Sequence, residues 1–256
     1  MIYIIMFPLY DNKKKNIIFW SYKCGCTYIR DIYYNLYLKL NYKKNTIKII
    51  TLFNRFNKLD PIKLLNYRKI YICRNPYSRI VSCFIDKYIK SHFSQWFKLN
   101  IGIKNFFRFF ENKNFVRLTF KEFINLVYEK FVLKKYSLLE FDHLTPQFSI
   151  NYSNFKFDKI YKLEDLNTST FLQDEFDIDE NYINETTSLH NNNCSNSEYY
   201  IENAFNLEYN ELSELKKTKK IPNYKYFFDE DIKNKVYEIY KTDFINLLEY
   251  NVIYDI

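Results

Sequence analysis

Apolar runs of strand length alternate with segments of helical periodicity along this chain, and that alternation restricts its architecture more than any other feature. Residues 16–22 (NIIFWSY) read as a buried strand, and Tyr28–Leu40 behind them repeats apolar residues at helical spacing. Arg68–Cys73 (RKIYIC) reads as another strand and runs into RNPYSR, where Asn75 can cap a helix with Pro76 at its first position, extending to about Lys90. The opening MIYIIMFPLY, Ile47–Phe53 and Phe157–Leu163 are further expected strands, the last with a short helix after it. Thr119 and Glu122 have the spacing of a capping box opening a helix, and Asp229–Tyr250 reads as one closing amphipathic helix. From about Asp174 to Pro222 the chain is polar, acidic and Asn-rich, an excursion with little core. Alternating strands and helices imply an α/β fold, a mostly parallel sheet flanked by helices. With neither an internal repeat nor a Pro/Gly/Ser linker, residues 1–256 are expected to form a single domain.

Hydrophobic residues at 47% and aromatics at 21% exclude a disordered chain. There are two glycines, Gly25 and Gly102, so the place of Gly25 between a strand and a helix is informative. Lys and Arg (38) outnumber Asp and Glu (30) for a net charge of +8, which fits attraction to a polyanion or a lysine-rich composition; charge alone favours the second. The aromatics follow core periodicity instead of clustering with Lys and Arg, which disfavours nucleic acid as a partner. Five cysteines, odd in number and without a CxxC pair, offer neither a disulfide framework nor a zinc site and point to a reducing compartment. No run approaches the roughly 20 apolar residues of a membrane span. The apolar opening lacks a basic n-region and a cleavage site. The expected location is cytoplasmic or otherwise soluble, in preference to the Golgi lumen.

Two segments carry chemistry. Lys23-Cys24-Gly25-Cys26-Thr27 lies at a strand-to-helix turn, where backbone N–H groups and the positive end of a helix dipole converge on one point. Small residues let a phosphate or sulfate approach the backbone, Lys23 supplies positive charge and Thr27 a hydroxyl. The bland alternative, an ordinary turn with an incidental lysine, is about as good on the pentapeptide alone. The ATP-type loop GxxxxGKS/T is absent, which disfavours kinase or NTPase chemistry. Arg74-Asn75-Pro76-Tyr77-Ser78-Arg79-Ile80-Val81-Ser82 begins where another strand ends, so both segments are expected on the carboxyl edge of the sheet, where open α/β sheets bind ligands. Arg74 can clamp a phosphate and Ser82 can add a hydroxyl. By itself, this segment reads better as a well-capped helix start with solvated surface arginines.

Taken together the segments resemble the nucleotide motifs of sulfotransferases that use 3′-phosphoadenosine 5′-phosphosulfate (PAPS). KCGCT looks like their 5′-phosphosulfate loop, and RNPYSRIVS followed by Asp86-Lys87 looks like their 3′-phosphate motif, R-D/N-P-x-x-R-x-x-S with a trailing D-K. The carbohydrate sulfotransferases of the chondroitin and dermatan 4-O type are the nearest in pattern. His143-Leu144-Thr145-Pro146-Gln147 is similar to their HWxPQ segment, FDKIYKLEDL (157–166) to their late strand and YKTDFINLLEY (240–250) to their terminal helix. Leu144 stands where that family has Trp, and Tyr22 where it has the proline before the lysine.

The resemblance implies a P-loop-like sulfotransferase fold and transfer of a sulfuryl group from PAPS to a hydroxyl acceptor, with 3′-phosphoadenosine 5′-phosphate (PAP) as product and no metal. A carbohydrate acceptor is favoured, and the oligomeric state is not readable. It places Lys23, Cys24, Gly25, Cys26, Thr27 and Tyr28 around the 5′-phosphosulfate and Arg74, Arg79 and Ser82 in the 3′-phosphate motif, with Lys23 also stabilising the leaving group. His143 is the expected general base, since the imidazole suits proton transfer near neutral pH. Asp60 is the runner-up and His92 a further candidate, while Asp31 is explained by a helix dipole. A non-catalytic module binding nucleotide or sulfated glycan through the same basic edge is the competing reading from another class.

Overall fold

The computed structural model describes residues 7–21, 23–25, 61–89, 118–134, 143–148, 156–177 and 199–254. The expected strand at Ile47–Phe53 and the expected helix at Tyr28–Leu40 lie outside the described residues. The chain forms two compact units, Met1–Arg74 with Asn151–Asn191, and Asn75–Ile150 with Asn192–Ile256.

The first unit holds a four-stranded sheet in the order β1-β2-β3-β4: β1 is Phe7–Asp11, β2 Asn16–Trp20, β3 Arg68–Cys73 and β4 Lys159–Lys162. β2 pairs parallel with β3, and β3 with β4, as the alternation of strands and helices requires. β1 is an antiparallel edge strand joined to β2 by a tight turn. Asp11 builds that turn by accepting hydrogen bonds from the N–H groups of Lys13 and Lys14, a local cap typical of Asp. All five residues of β2 are buried, matching its uninterrupted apolar run. Tyr71 of β3 stacks on Phe157 with ring centres 4.9 Å apart, and Phe19 of β2 meets the same ring edge-on.

Helix α1 (Pro61–Asn66) precedes β3, and α2 to α7 follow in chain order below. At the amino end of the parallel strands the buried Glu175 carboxylate gathers Arg68 (2.8 Å), Lys159 (3.4 Å), the Asn16 amide (3.2 Å) and the Tyr161 hydroxyl (2.6 Å). Burial and the adjoining Glu175 carboxylate push the Tyr161 phenol well above its usual range, so it stays a neutral donor. This network ties three strands together at the end of the sheet opposite Lys23 and Arg74.

The second unit opens with α2 (Pro76–Cys83), which continues as a π-helical turn over Phe84–Ile89, close to the expected end at Lys90. α3 (Phe120–Tyr128) starts at the capping box of Thr119 and Glu122 that the sequence announces. An aromatic cluster centres on Phe120, whose ring meets Phe84, Phe227 and Phe228 at 5.3–5.6 Å. Two expectations need correction. The stretch before Pro222 carries a helix, α5 (Tyr209–Lys217), after α4 (Thr168–Phe176) of the first unit, and it buries Ala204, Phe205, Leu212 and Ile221. The closing segment is two helices, α6 (Glu230–Ile239) and α7 (Lys241–Leu248), broken at the fully buried Tyr240 (φ −112°, ψ 24°). No proline or glycine marks this break; packing of the Tyr240 ring against the Arg79 guanidinium, 5.5 Å away, accompanies it.

Candidate functional site

β2 and β3 are parallel neighbours, so the chain leaving Trp20 and the chain leaving Cys73 emerge side by side at one carboxyl edge. The turn after β2 is closed by the Cys24 N–H donating to the Ser21 carbonyl (3.2 Å) and by a 3.1 Å contact between the Ser21 hydroxyl and the Cys24 thiol, both buried. Gly25 has φ 72°, in the left-handed region where a Cβ is costly, which accounts for one of two glycines in the chain. Lys23 also has a left-handed backbone, φ 68°, a conformation costing a non-glycine residue roughly 1–2 kcal/mol. Its carbonyl is held there by Nη1 of Arg74 at 3.0 Å. The strained lysine of one motif is thus fixed by the first arginine of the other.

Arg74 is mostly buried, and its Nε lies 3.8 Å from the carboxylate of Glu164 in the turn after β4. Three strand-end turns therefore contribute charge to this edge: Lys23, Arg74 and Glu164. Glu164 falls within the segment FDKIYKLEDL, where an acidic residue in a polar turn carries no distinguishing sequence signal. Cys26, Thr27, Tyr28, Asp31, Asp60 and His92 lie outside the described residues.

The remaining motif residues belong to the second unit. Asn75 caps α2 through its side-chain oxygen, accepting from the Tyr77 N–H at 2.9 Å, with Pro76 starting the helix. Ser82 is the one residue of α2 that is not buried; it is partly exposed. Arg79, expected in the nucleotide set, is fully buried, and its Nη2 donates to the Thr145 carbonyl at 2.5 Å. His143 is partly exposed at the start of the turn 143–148, whose Leu144 packs into the unit's apolar core.

That turn has a second anchor that the sequence reading missed. Asp243 of α7, fully buried, accepts from the N–H groups of Gln147 (2.9 Å) and Phe148 (2.8 Å), one on each carboxylate oxygen. Burial pushes its carboxyl above the usual range, against the opposing pull of Arg79 and the two N–H groups. A signal for it exists: Tyr240, Asp243, Phe244 and Leu247 share helical spacing, so Asp243 occupies a position on the apolar stripe.

Among the described residues there is no cluster of three or more His, Cys, Asp or Glu side chains fit to hold a metal ion, and no helix long and apolar enough to cross a membrane. Compared with known proteins, the chain matches the model of the sulfotransferase family over residues 10–251, a span that includes every motif described above. No curated protein and no solved structure matches it.

Proposed function

The chain belongs to the sulfotransferase family, and from that premise we propose that it transfers a sulfuryl group from PAPS to a hydroxyl of a carbohydrate, by resemblance one of the chondroitin or dermatan type. The observation that carries this reading is the bond from Arg74 to the Lys23 carbonyl. It joins the lysine turn after β2 to the arginine after β3, as a site for a nucleotide with phosphates at both the 5′ and 3′ positions requires.

In the proposed reaction the acceptor oxygen attacks sulfur in line while the bond from sulfur to the 5′-phosphate oxygen breaks, and the acceptor proton passes to a base. Such group transfer depends mainly on positioning and on stabilising charge. Lys23 meets the negative charge developing on the departing oxygen, and the residues Cys24, Gly25, Cys26, Thr27 and Tyr28 hold the phosphosulfate. Arg74 and Ser82 hold the 3′-phosphate. His143 takes the proton, a role in which a neutral imidazole is the working form. Glu164 beside Arg74 limits the net positive charge of this edge and gives the arginine a partner that a 3′-phosphate displaces.

Calorimetric titration with PAP, adenosine 5′-phosphosulfate and ATP tests the site. Binding of PAP well ahead of both others is expected. Equal affinity for ATP and PAP would remove the 3′-phosphate from the assignment and favour a kinase-like site.

A further inference from the structure

Arg79 and Asp243 are two fully buried charged residues, and both direct their polar atoms to the backbone of one short turn. Arg79 of α2 donates to the Thr145 carbonyl, and Asp243 of α7 accepts from the N–H groups of Gln147 and Phe148. A buried charge adds little net stability compared with an apolar side chain of equal volume, because the cost of taking it out of water offsets most of what its hydrogen bonds return. Stability alone therefore does not account for two charges here. What the pair achieves is positional: three charge-assisted bonds fix the residues immediately after His143, and such bonds are short and directional. Thr145 and Gln147 are fully buried, Leu144 and Phe148 nearly so, which leaves the turn little freedom to shift. The break at Tyr240 belongs to the same arrangement, since α7 begins there and Tyr240 lies against Arg79.

We propose that Arg79 and Asp243 are positioning residues that hold the 143–148 turn, and with it the imidazole of His143, in its working orientation. The proposal gives the second arginine of the RNPYSR motif a task separate from nucleotide contact. It rests on the reading of His143 as the base for the link to catalysis, whereas the clamp itself can be measured without turnover.

The test uses nitrogen-15-labelled full chain as wild type, Arg79→Lys and Asp243→Asn. Three histidines in the sequence make the His143 imidazole assignable by comparison with His143→Gln. In the wild type, the Gln147 and Phe148 amides are expected to be strongly protected from hydrogen exchange. In the folded variants they exchange at least about tenfold faster and the His143 resonances shift. Transfer from PAPS to a chondroitin oligosaccharide falls by about 10–100-fold in kcat, in keeping with the cost of small misplacements, while PAP affinity stays within about threefold. Unprotected amides in the wild type overturn the proposal, and this result is available even if neither variant folds. Unmoved His143 resonances in a folded Asp243→Asn chain overturn it as well. Full activity of His143→Gln together with loosened amides in Asp243→Asn strikes the base assignment alone and supports the clamp.

Discussion

Lys23 combines a left-handed backbone, a carbonyl tied to Arg74 and a partly exposed side chain at the carboxyl edge of the sheet. Charge on the bridging oxygen of PAPS develops mainly in the transition state, so Lys23→Ala is expected to lower kcat severely and leave PAP affinity nearly unchanged. A parallel loss of PAP binding in titration would make Lys23 an anchor and not a catalytic group. Arg74 is expected to serve twice, through the 3′-phosphate and through the Lys23 carbonyl. Arg74→Ala should weaken PAP by about tenfold or more, since a charged hydrogen bond contributes roughly 1.5–3 kcal/mol. Ser82→Ala should weaken PAP and leave adenosine 5′-phosphosulfate, which lacks the 3′-phosphate, unaffected; equal weakening of both ligands would remove Ser82 from the site. The sequence marks these positions because the proposed chemistry needs particular residue types at fixed spacing. Gly25 stood out in a chain with two glycines, and its positive φ gives the reason. A motif names residue types and not directions, so the bond from the Arg79 guanidinium to the Thr145 carbonyl is not legible in it.

Among the elements, β2, β3, α2 and α3 form where patterning and caps predict them, because their signals are local: an apolar run, Asn75-Pro76 and the Thr119–Glu122 box. The break between α6 and α7 has no local signal. Tyr240 and its neighbours are compatible with a continuous helix, and the interruption accompanies contacts to α2 and the 143–148 turn, residues remote in sequence. The start of α6 is a different case. Asp229 caps it by accepting from the Ile232 N–H at 2.8 Å and also pairs with Lys121 of α3 at 3.0 Å. Partial burial pushes this carboxyl up, but the Ile232 N–H and the Lys121 charge outweigh it and hold it below the usual carboxylate range. A depressed folded-state value means that the stabilisation is complete above the unfolded value, about pH 3.9, and is lost as pH falls through the folded one. Asp229→Asn keeps the cap but cannot titrate. Its melting temperature should lie below wild type at pH 7 and converge with it as pH falls through the depressed folded-state value. A gap that persists unchanged to low pH would assign the difference to packing.

Across the whole molecule the two motifs are about fifty residues apart in sequence, and parallel pairing of β2 with β3 brings Lys23 and Arg74 together. The family match over residues 10–251 covers both compact units. What sequence patterning conveyed was the carboxyl-edge arrangement; what it did not convey was the antiparallel β1, the Glu175 network at the opposite end of the sheet and the Asp243 anchor, all of which depend on contacts between distant segments. The central claim is chemical, that this chain turns PAPS over. Purified protein incubated with sulfur-35-labelled PAPS and a panel of chondroitin and dermatan oligosaccharides, tyrosine peptides and lipids tests it directly. Label transferred to an oligosaccharide by the wild type and lost in Lys23→Ala is the predicted result; tight PAP binding with no label transferred to any acceptor would make the protein a nucleotide-binding module and contradict the account.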